Sequence, residues 1–325
     1  MKTNQIKVKV ANALTDNQVS FLERMLDQGG PEEREYDEFN FLVNSLSEDG
    51  IDELRNILAP ILTNIETFQG FSTMKPYGYS GDFEIIDMFY SEKINQNPRY
   101  KNWDKWCNSF HAAQAVRNRK SFFINLMAEL EKKSTAPKRV LILGSGPATD
   151  VYEYLKKNPS STISFDLVDL DDRAIEYAKE KNRKFLYKLN FMQINVLRFK
   201  THRMYDMIWS AGLFDYFKEK HFIYLLKKYL AFLVDNGEMV IGNFSLHNPT
   251  RKLQEVLGDW YLNYRSEFEL TKIAIEAGLK KEQIRVDKEP LGVNLFMRIE
   301  KNNINITESK EPASKVSRVS SFNMN

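Results

Sequence analysis

The segment Val140-Leu141-Ile142-Leu143-Gly144-Ser145-Gly146-Pro147-Ala148-Thr149-Asp150 constrains this chain more than any other. A short apolar run of this kind reads as a strand buried on both faces, as in a parallel sheet. It ends in Gly-x-Gly, where missing Cβ atoms let the backbone turn tightly and approach a ligand. Pro147 then fits the first position of a helix, since its absent N–H costs nothing there. Amides at such a helix start favour a carboxylate or another anion. Asp169 follows 25 residues after Gly144, at the end of the next apolar run. An acid in that place accepts hydrogen bonds from the hydroxyls of a ribose, while Asp171 reads as the cap of the following helix.

From Lys138 onward the pattern alternates. Strands are expected at 140–143, 163–168, 189–194, 207–210 and 239–243, with helices at 148–157, 172–181, 217–234 and 268–277. Such alternation implies a parallel sheet covered on both faces. Two further strand-like runs, 283–286 and 293–299, flank a Pro-Leu-Gly turn and read as a terminal hairpin. The fold class expected is therefore α/β: a Rossmann-like class I methyltransferase sheet over 136–300, parallel with a terminal antiparallel hairpin. A helical cap or substrate region is expected over 1–135, and a disordered tail, rich in Asn, Ser and Lys, over 301–325.

A dinucleotide site shares the turn and the acid. Two features favour S-adenosyl-L-methionine (SAM) as the cofactor. Thr149 stands where the third glycine of Gly-x-Gly-x-x-Gly belongs, and the sheet closes with a hairpin. The expected cofactor-binding residues are Gly144, Ser145, Gly146, Asp169 and Leu170, then Asn195 and Val196 after the third strand and Ser210 at the end of the fourth. Asn195 has two open readings, a contact to adenine through its amide or a turn-forming residue.

Ahead of the sheet, Thr15 or Asp16 and Ser47 or Asp49 are positioned to cap helices within 15–68. Residues 69–82 hold three glycines, a proline and two tyrosines, and read as a shaped loop. Asp82 is expected to cap a short helix through Tyr90, and a long helix to run from about Ser109 to Lys133. Net charge is +2 over 325 residues, which gives no global attraction to nucleic acid. The single cysteine, Cys107, excludes an intramolecular disulfide and a Cys-based zinc site. His111, His202, His221 and His247 share no spacing, so no metal is expected. Met1 to Ala13 lacks an apolar signal core and no segment approaches the ~20 apolar residues of a span. The location expected is cytoplasmic, with no membrane span.

Three segments resemble one bacterial group, the extracellular-factor (3-hydroxypalmitic acid methyl ester) biosynthesis methyltransferases. They are Lys75-Pro76-Tyr77-Gly78-Tyr79-Ser80-Gly81-Asp82-Phe83-Glu84, then Ala115-Val116-Arg117-Asn118-Arg119, and Gly242-Asn243-Phe244 with Asn248-Pro249-Thr250-Arg251 and Trp260-Tyr261-Leu262-Asn263-Tyr264-Arg265. The resemblance implies methylation of the carboxylate of a small molecule such as a 3-hydroxy fatty acid, so the expected partner is a small, acyl-type substrate rather than nucleic acid.

Arg119 lies at the edge of the stripe formed by Val116, Phe123 and Leu130. A buried guanidinium needs a partner; the candidates are Asp82 or Glu84 in an ion pair, the methionine carboxylate of SAM, or a substrate acid. Tyr79, Asn243, His247 and Arg265 are the candidates for holding the acceptor. Tyr79 reads as lid or loop packing, and Arg265 or Arg251 as an anchor for an acid. His247 is the base candidate if the acceptor is a hydroxyl or amine. A carboxylate acceptor already carries its nucleophile and needs only alignment. Methylation of a protein or nucleic acid, or non-catalytic SAM binding by a regulator, remain competing readings.

Overall fold

The computed structural model describes residues 14–133 and 136–301. The expected tail from 302 onward and the reading of Met1 to Ala13 lie outside them.

Eight helices precede the sheet: α1 Asp16–Asp27, α2 Tyr36–Ser45, α3 Glu48–Ile57, α4 Ala59–Leu62, α5 Phe68–Met74, α6 Phe83–Tyr90, α7 Pro98–Ser109 and α8 His111–Lys132. Their starts follow local chemistry. Thr15 and Gln18 form a reciprocal capping box at α1, and Ser47 accepts from Gly50 N at α3, each satisfying amides that the helix leaves free. Asp82 accepts from Glu84 N at 2.9 Å and Ile85 N at 3.0 Å and so starts α6. The single long helix expected from Ser109 begins instead at His111. Phe110 breaks the chain between α7 and α8 with an extended backbone (ψ 139°), and its ring packs edge-on against Trp106.

The sheet domain continues as β1 Lys138–Leu143, α9 Thr149–Lys157, β2 Ile163–Asp169, α10 Asp172–Lys181, β3 Leu189–Gln193, β4 Tyr205–Ser210, α11 Glu219–Leu230, β5 Leu233–Phe244, α12 Arg251–Gly258, α13 Glu267–Glu276, β6 Ile284–Lys288 and β7 Asn294–Glu300. Strand order is β3-β2-β1-β4-β5-β7-β6. β3, β2, β1, β4 and β5 run parallel to one another, and β7 runs antiparallel to both β5 and β6. This is the α/β, Rossmann-like sheet with a terminal antiparallel hairpin.

Strand periodicity splits the core into two layers. Val140 and Ile142 face α8 and α9, whereas Leu141 and Leu143 face α11 and α13. Further boundaries differ from expectation: α5 takes Phe68–Met74 out of the loop expected over 69–82, leaving 75–82. α11 ends at Leu230, because β5 begins early, at Leu233, and passes an irregularity in its pairing with β4. α12 was not anticipated; it fills the stretch after the fifth strand.

The helical cap has its own core, yet it is not built from 14–133 alone. Phe244, Leu253, Val256, Leu257, Tyr264 and Val293 also belong to it. α8 ties the two cores together: Ala112, Ala115 and Val116 sit in the cap, while Phe123, Leu126, Met127 and Leu130 pack on the sheet. Arg119 lies at the crossing.

Candidate functional site

A cleft of about 820 Å³ opens between cap and sheet, within the ~300–1,000 Å³ usual for small-molecule sites. Its floor is made by the exits of β1, β2 and β4. The strand order reverses between β1 and β4, and open α/β sheets bind ligands at that switch point.

The glycine turn leaves β1 with Gly144 N and Ser145 N both donating to Val168 O, at 2.9 and 3.1 Å. Gly144 (φ 65°), Gly146 (φ 51°) and Ala148 (φ 48°) are left-handed, which glycine adopts at little cost. The helix therefore starts two residues later than Pro147 suggests: Ala148 is the N-cap and Thr149 opens α9. Gly146 N donates to Asp169 Oδ2 at 2.8 Å, and Asp169 Oδ1 accepts from Asp171 N at 3.1 Å. Turn and acid thus converge on one place. Burial raises the pKa of Asp169, against the lowering effect of these amides. A Cβ added at Gly146 would meet nothing within 4 Å, so the turn faces open space. Ser145 lines the cleft, and its Oγ is buried and without a hydrogen-bond partner among the described residues.

Arg119 reaches the same cleft from α8, and is 6% exposed. Neither acid proposed as its partner pairs with it. Asp82 caps α6, and Glu84 accepts from Tyr77 Oη at 2.6 Å. Arg119 Nε instead donates to Tyr90 Oη at 3.3 Å. Burial opposes its charge, but Tyr90, Asp215 and Asp150 outweigh that and hold its pKa above the ordinary arginine value. Among the described residues no carboxylate forms an ion pair with it, so its outer nitrogens are aimed at the cleft beside Gly212, where a Cβ would lie 2.9 Å from Nη1.

A strap over residues 75–82 closes the opposite side. Tyr79 Oη donates to Asp171 Oδ2 at 2.9 Å, and Arg173 Nη2 to Tyr77 O at 2.9 Å. From the other bank, Tyr216 Oη donates to Ser80 O at 2.9 Å and Trp260 Nε1 to Tyr216 Oη at 2.8 Å. Lys75 pairs with Asp259.

Gly144, Ser145, Gly146, Asp169, Leu170, Arg119 and Tyr79 all line this cleft. Seven other candidates do not. Ser210 is fully buried and donates to Leu143 O at 3.0 Å, a strut between β4 and β1. Asn195 accepts from Leu197 N at 2.8 Å in a tight turn, and Val196 sits in the core layer beneath it. Asn243 and Arg265 bond to each other at 2.6 Å below the cleft. Arg265 is further committed to Phe214 O, Asn263 O and Phe217 O. His247 is exposed beyond β5. Arg251 pairs with Glu255.

Sequence reasoning missed Tyr90, Asp150, Asp215, Trp260 and Leu262, which the structure adds to the lining. Asp215 is 1% exposed and accepts from Phe244 N at 2.7 Å. Burial raises its pKa to about 7, opposed by that amide, Arg119 and Arg265. Its position after the fourth strand was the available signal. Beside the main cleft lies a side cavity of about 50 Å³, lined mostly by apolar groups, that shares Val116, Phe244 and Trp260 with it and extends toward Phe89, Phe110 and Leu257. Among the described residues no cluster of ligating side chains is arranged for a metal, and no helix is long and apolar enough to cross a membrane.

No family model matches the chain, and no curated protein matches it. The resemblance noted above therefore rests on its quoted residues alone. Among solved structures, a protein of Bordetella parapertussis described as a possible exported protein is 15% identical. The match covers 89% of this chain and 100% of that one, at a TM-score of 0.62, and it is a likeness of fold. The magnesium protoporphyrin IX methyltransferase of Synechocystis PCC 6803, with bound S-adenosyl-L-homocysteine, is 10% identical over 59% of this chain and 87% of its own, at 0.47. An N-methyltransferase of Bradyrhizobium japonicum WM9, also with S-adenosyl-L-homocysteine, is 14% identical over 67% and 97%, at 0.43.

Proposed function

We propose that this chain is a SAM-dependent methyltransferase whose acceptor is an oxygen of a small, largely apolar molecule, such as the carboxyl group of a 3-hydroxy fatty acid. The observation that carries the reading is the buried Arg119, which forms no ion pair among the described residues, set in the same cleft as the glycine turn, Ser145 and Asp169.

The residues fit the cofactor piece by piece. Arg119 and Ser145 offer charge-assisted and neutral hydrogen bonds to an amino-acid carboxylate, and a guanidinium suits that role because it binds both oxygens at once. Gly146 leaves room for the ligand to lie against the backbone. Asp169 has two of its roughly four acceptor positions used by Gly146 and Asp171, leaving the rest for ribose hydroxyls. Bound SAM would supply an electrophilic methyl group. The chain's own part is to hold the acceptor oxygen in line with it and to exclude water, which the 75–82 strap is placed to do. The side cavity of about 50 Å³ is apolar and adds room for a small aliphatic group at the edge of the cleft.

Calorimetry with SAM tests the cofactor reading. Asp169→Ala is expected to weaken binding by about 1–3 kcal/mol while the protein stays folded; unchanged affinity rejects the ribose role. Incubation with methyl-labelled SAM and a panel of acyl acids, read by mass spectrometry, tests the acceptor.

A further inference from the structure

The charges around the cleft bear on the state in which an acceptor enters it. Its lining holds three cations, Lys75, Arg119 and Arg173. Lys75 is paired with Asp259 and Arg173 with Asp171. Arg119 is the group that, on the reading above, meets the cofactor's carboxylate. Arg265 and Arg251, the anchors expected for an acid, lie outside the lining, and each is already bonded. Asp150, Asp169 and Asp215 face the same space. An ionised acceptor would sit among carboxylates without a cation of its own, at the cost that attends an unpaired buried charge.

Asp215 stands after the exit of β4 and lines the cleft with the glycine turn. Its Oδ1 is fixed by Phe244 N, and its Oδ2 lies 3.5 Å from the point a Gly212 Cβ would occupy, on the cleft side where Arg119 also reaches. We propose that Asp215 is the catalytic base of the methyl transfer, taking the proton of an acceptor that enters as O–H, a hydroxyl or an un-ionised carboxylic acid. This rests on the SAM reading of the same cleft. The acceptor's O–H bond breaks and its proton goes to Asp215. The oxygen's electron pair forms the bond to the methyl carbon, and the sulfur–methyl bond breaks with its pair remaining on sulfur. Asp215 then returns the proton to water. No further reactant is needed.

The groups facing Asp215 are Arg119 from α8, Arg265 ahead of α13, and the phenols of Tyr216 and Tyr264. Burial sets the carboxyl near pH 7, which suits a base working at neutrality. Below that pH Asp215 is protonated and cannot accept, so kcat is expected to rise about tenfold per pH unit and level off above about 7.

The test uses the full chain, methyl-labelled SAM and 3-hydroxydodecanoic acid, which carries both kinds of O–H. Asp215→Asn keeps an oxygen for Phe244 N. It is expected to lower kcat at least ~100-fold and to abolish the acidic limb, with SAM affinity within about twofold of the parent; Asp215→Glu restores part of the rate. An ester product identifies an acid acceptor and an ether a hydroxyl. A variant that keeps kcat within about tenfold, or keeps the acidic limb, overturns the proposal. Independently of turnover, NMR of carboxyl-labelled protein should show, among the carboxyls that burial raises, a group titrating near 7 whose signal is lost in Asp215→Asn; its absence also overturns the proposal. Failure of the SAM reading appears separately, as no calorimetric signal in the parent protein.

Discussion

The two banks of the cleft are built differently. The sheet bank is made of backbone: Gly144, Ser145 and Gly146 are held by Val168 O and Asp169, all within 25 residues of one another. The cap bank is made of side chains that meet across long stretches of chain. Tyr79 reaches Asp171, Tyr216 reaches Ser80, and Lys75 reaches Asp259. A backbone turn between two buried strands is rigid and forms wherever its sequence folds. A strap held by exposed or half-exposed side-chain bonds opens at a cost of a few such bonds, each worth about 1 kcal/mol. The difference suits one bank to hold a ligand and the other to admit it.

Three substitutions would break or sharpen this contrast. Arg119→Met removes the charge where the two cores cross. It is expected to weaken SAM binding by about 3 kcal/mol, while thermal stability stays level or rises, because an apolar side chain replaces a buried charge. A fall in melting temperature with SAM affinity intact would make Arg119 a structural group. Gly81→Ala comes next. Gly81 has φ 71°, and a Cβ there would lie 2.4 Å from Tyr216 Oη and 2.6 Å from the Trp260 ring. The strain, about 1–3 kcal/mol, falls on the closed strap. Faster proteolysis within 75–82 and a raised KM for SAM are expected, with the sheet's melting transition little changed; a global loss of stability would mean that strap and sheet fold as one unit. Tyr79→Phe removes one partly exposed bond and should cost about 1 kcal/mol or less, read as quicker SAM release in stopped-flow. An effect as large as that of Arg119→Met would place Tyr79 on the cofactor rather than on the strap.

The same contrast explains what was legible beforehand. Gly144, Gly146 and Asp169 were readable because their chemistry is local: a strand, a turn and the acid ending the next strand. Asn195 and Ser210 were placed by analogy of position. The structure has them in a turn and in a strut between strands, since a strand's exit fixes where a residue sits but not which way its side chain points. Arg265 and Asn243 were expected as acceptor contacts because both are polar near a crevice. They bond each other instead, satisfying two polar groups that the fold buries together.

By itself the sequence determined the alternation of strands and helices after Lys138, apart from α12, the parallel sheet with its terminal hairpin, and the turn that faces a ligand. Those follow from periodicity, glycine placement and capping residues, all of which act over a few positions. Only the tertiary structure decided that α8 runs through both cores, that Arg119 forms no ion pair among the described residues, and that Asp215 is buried on the same side of the cleft. Burial and charge pairing depend on which distant elements close over a residue, and no local pattern records that.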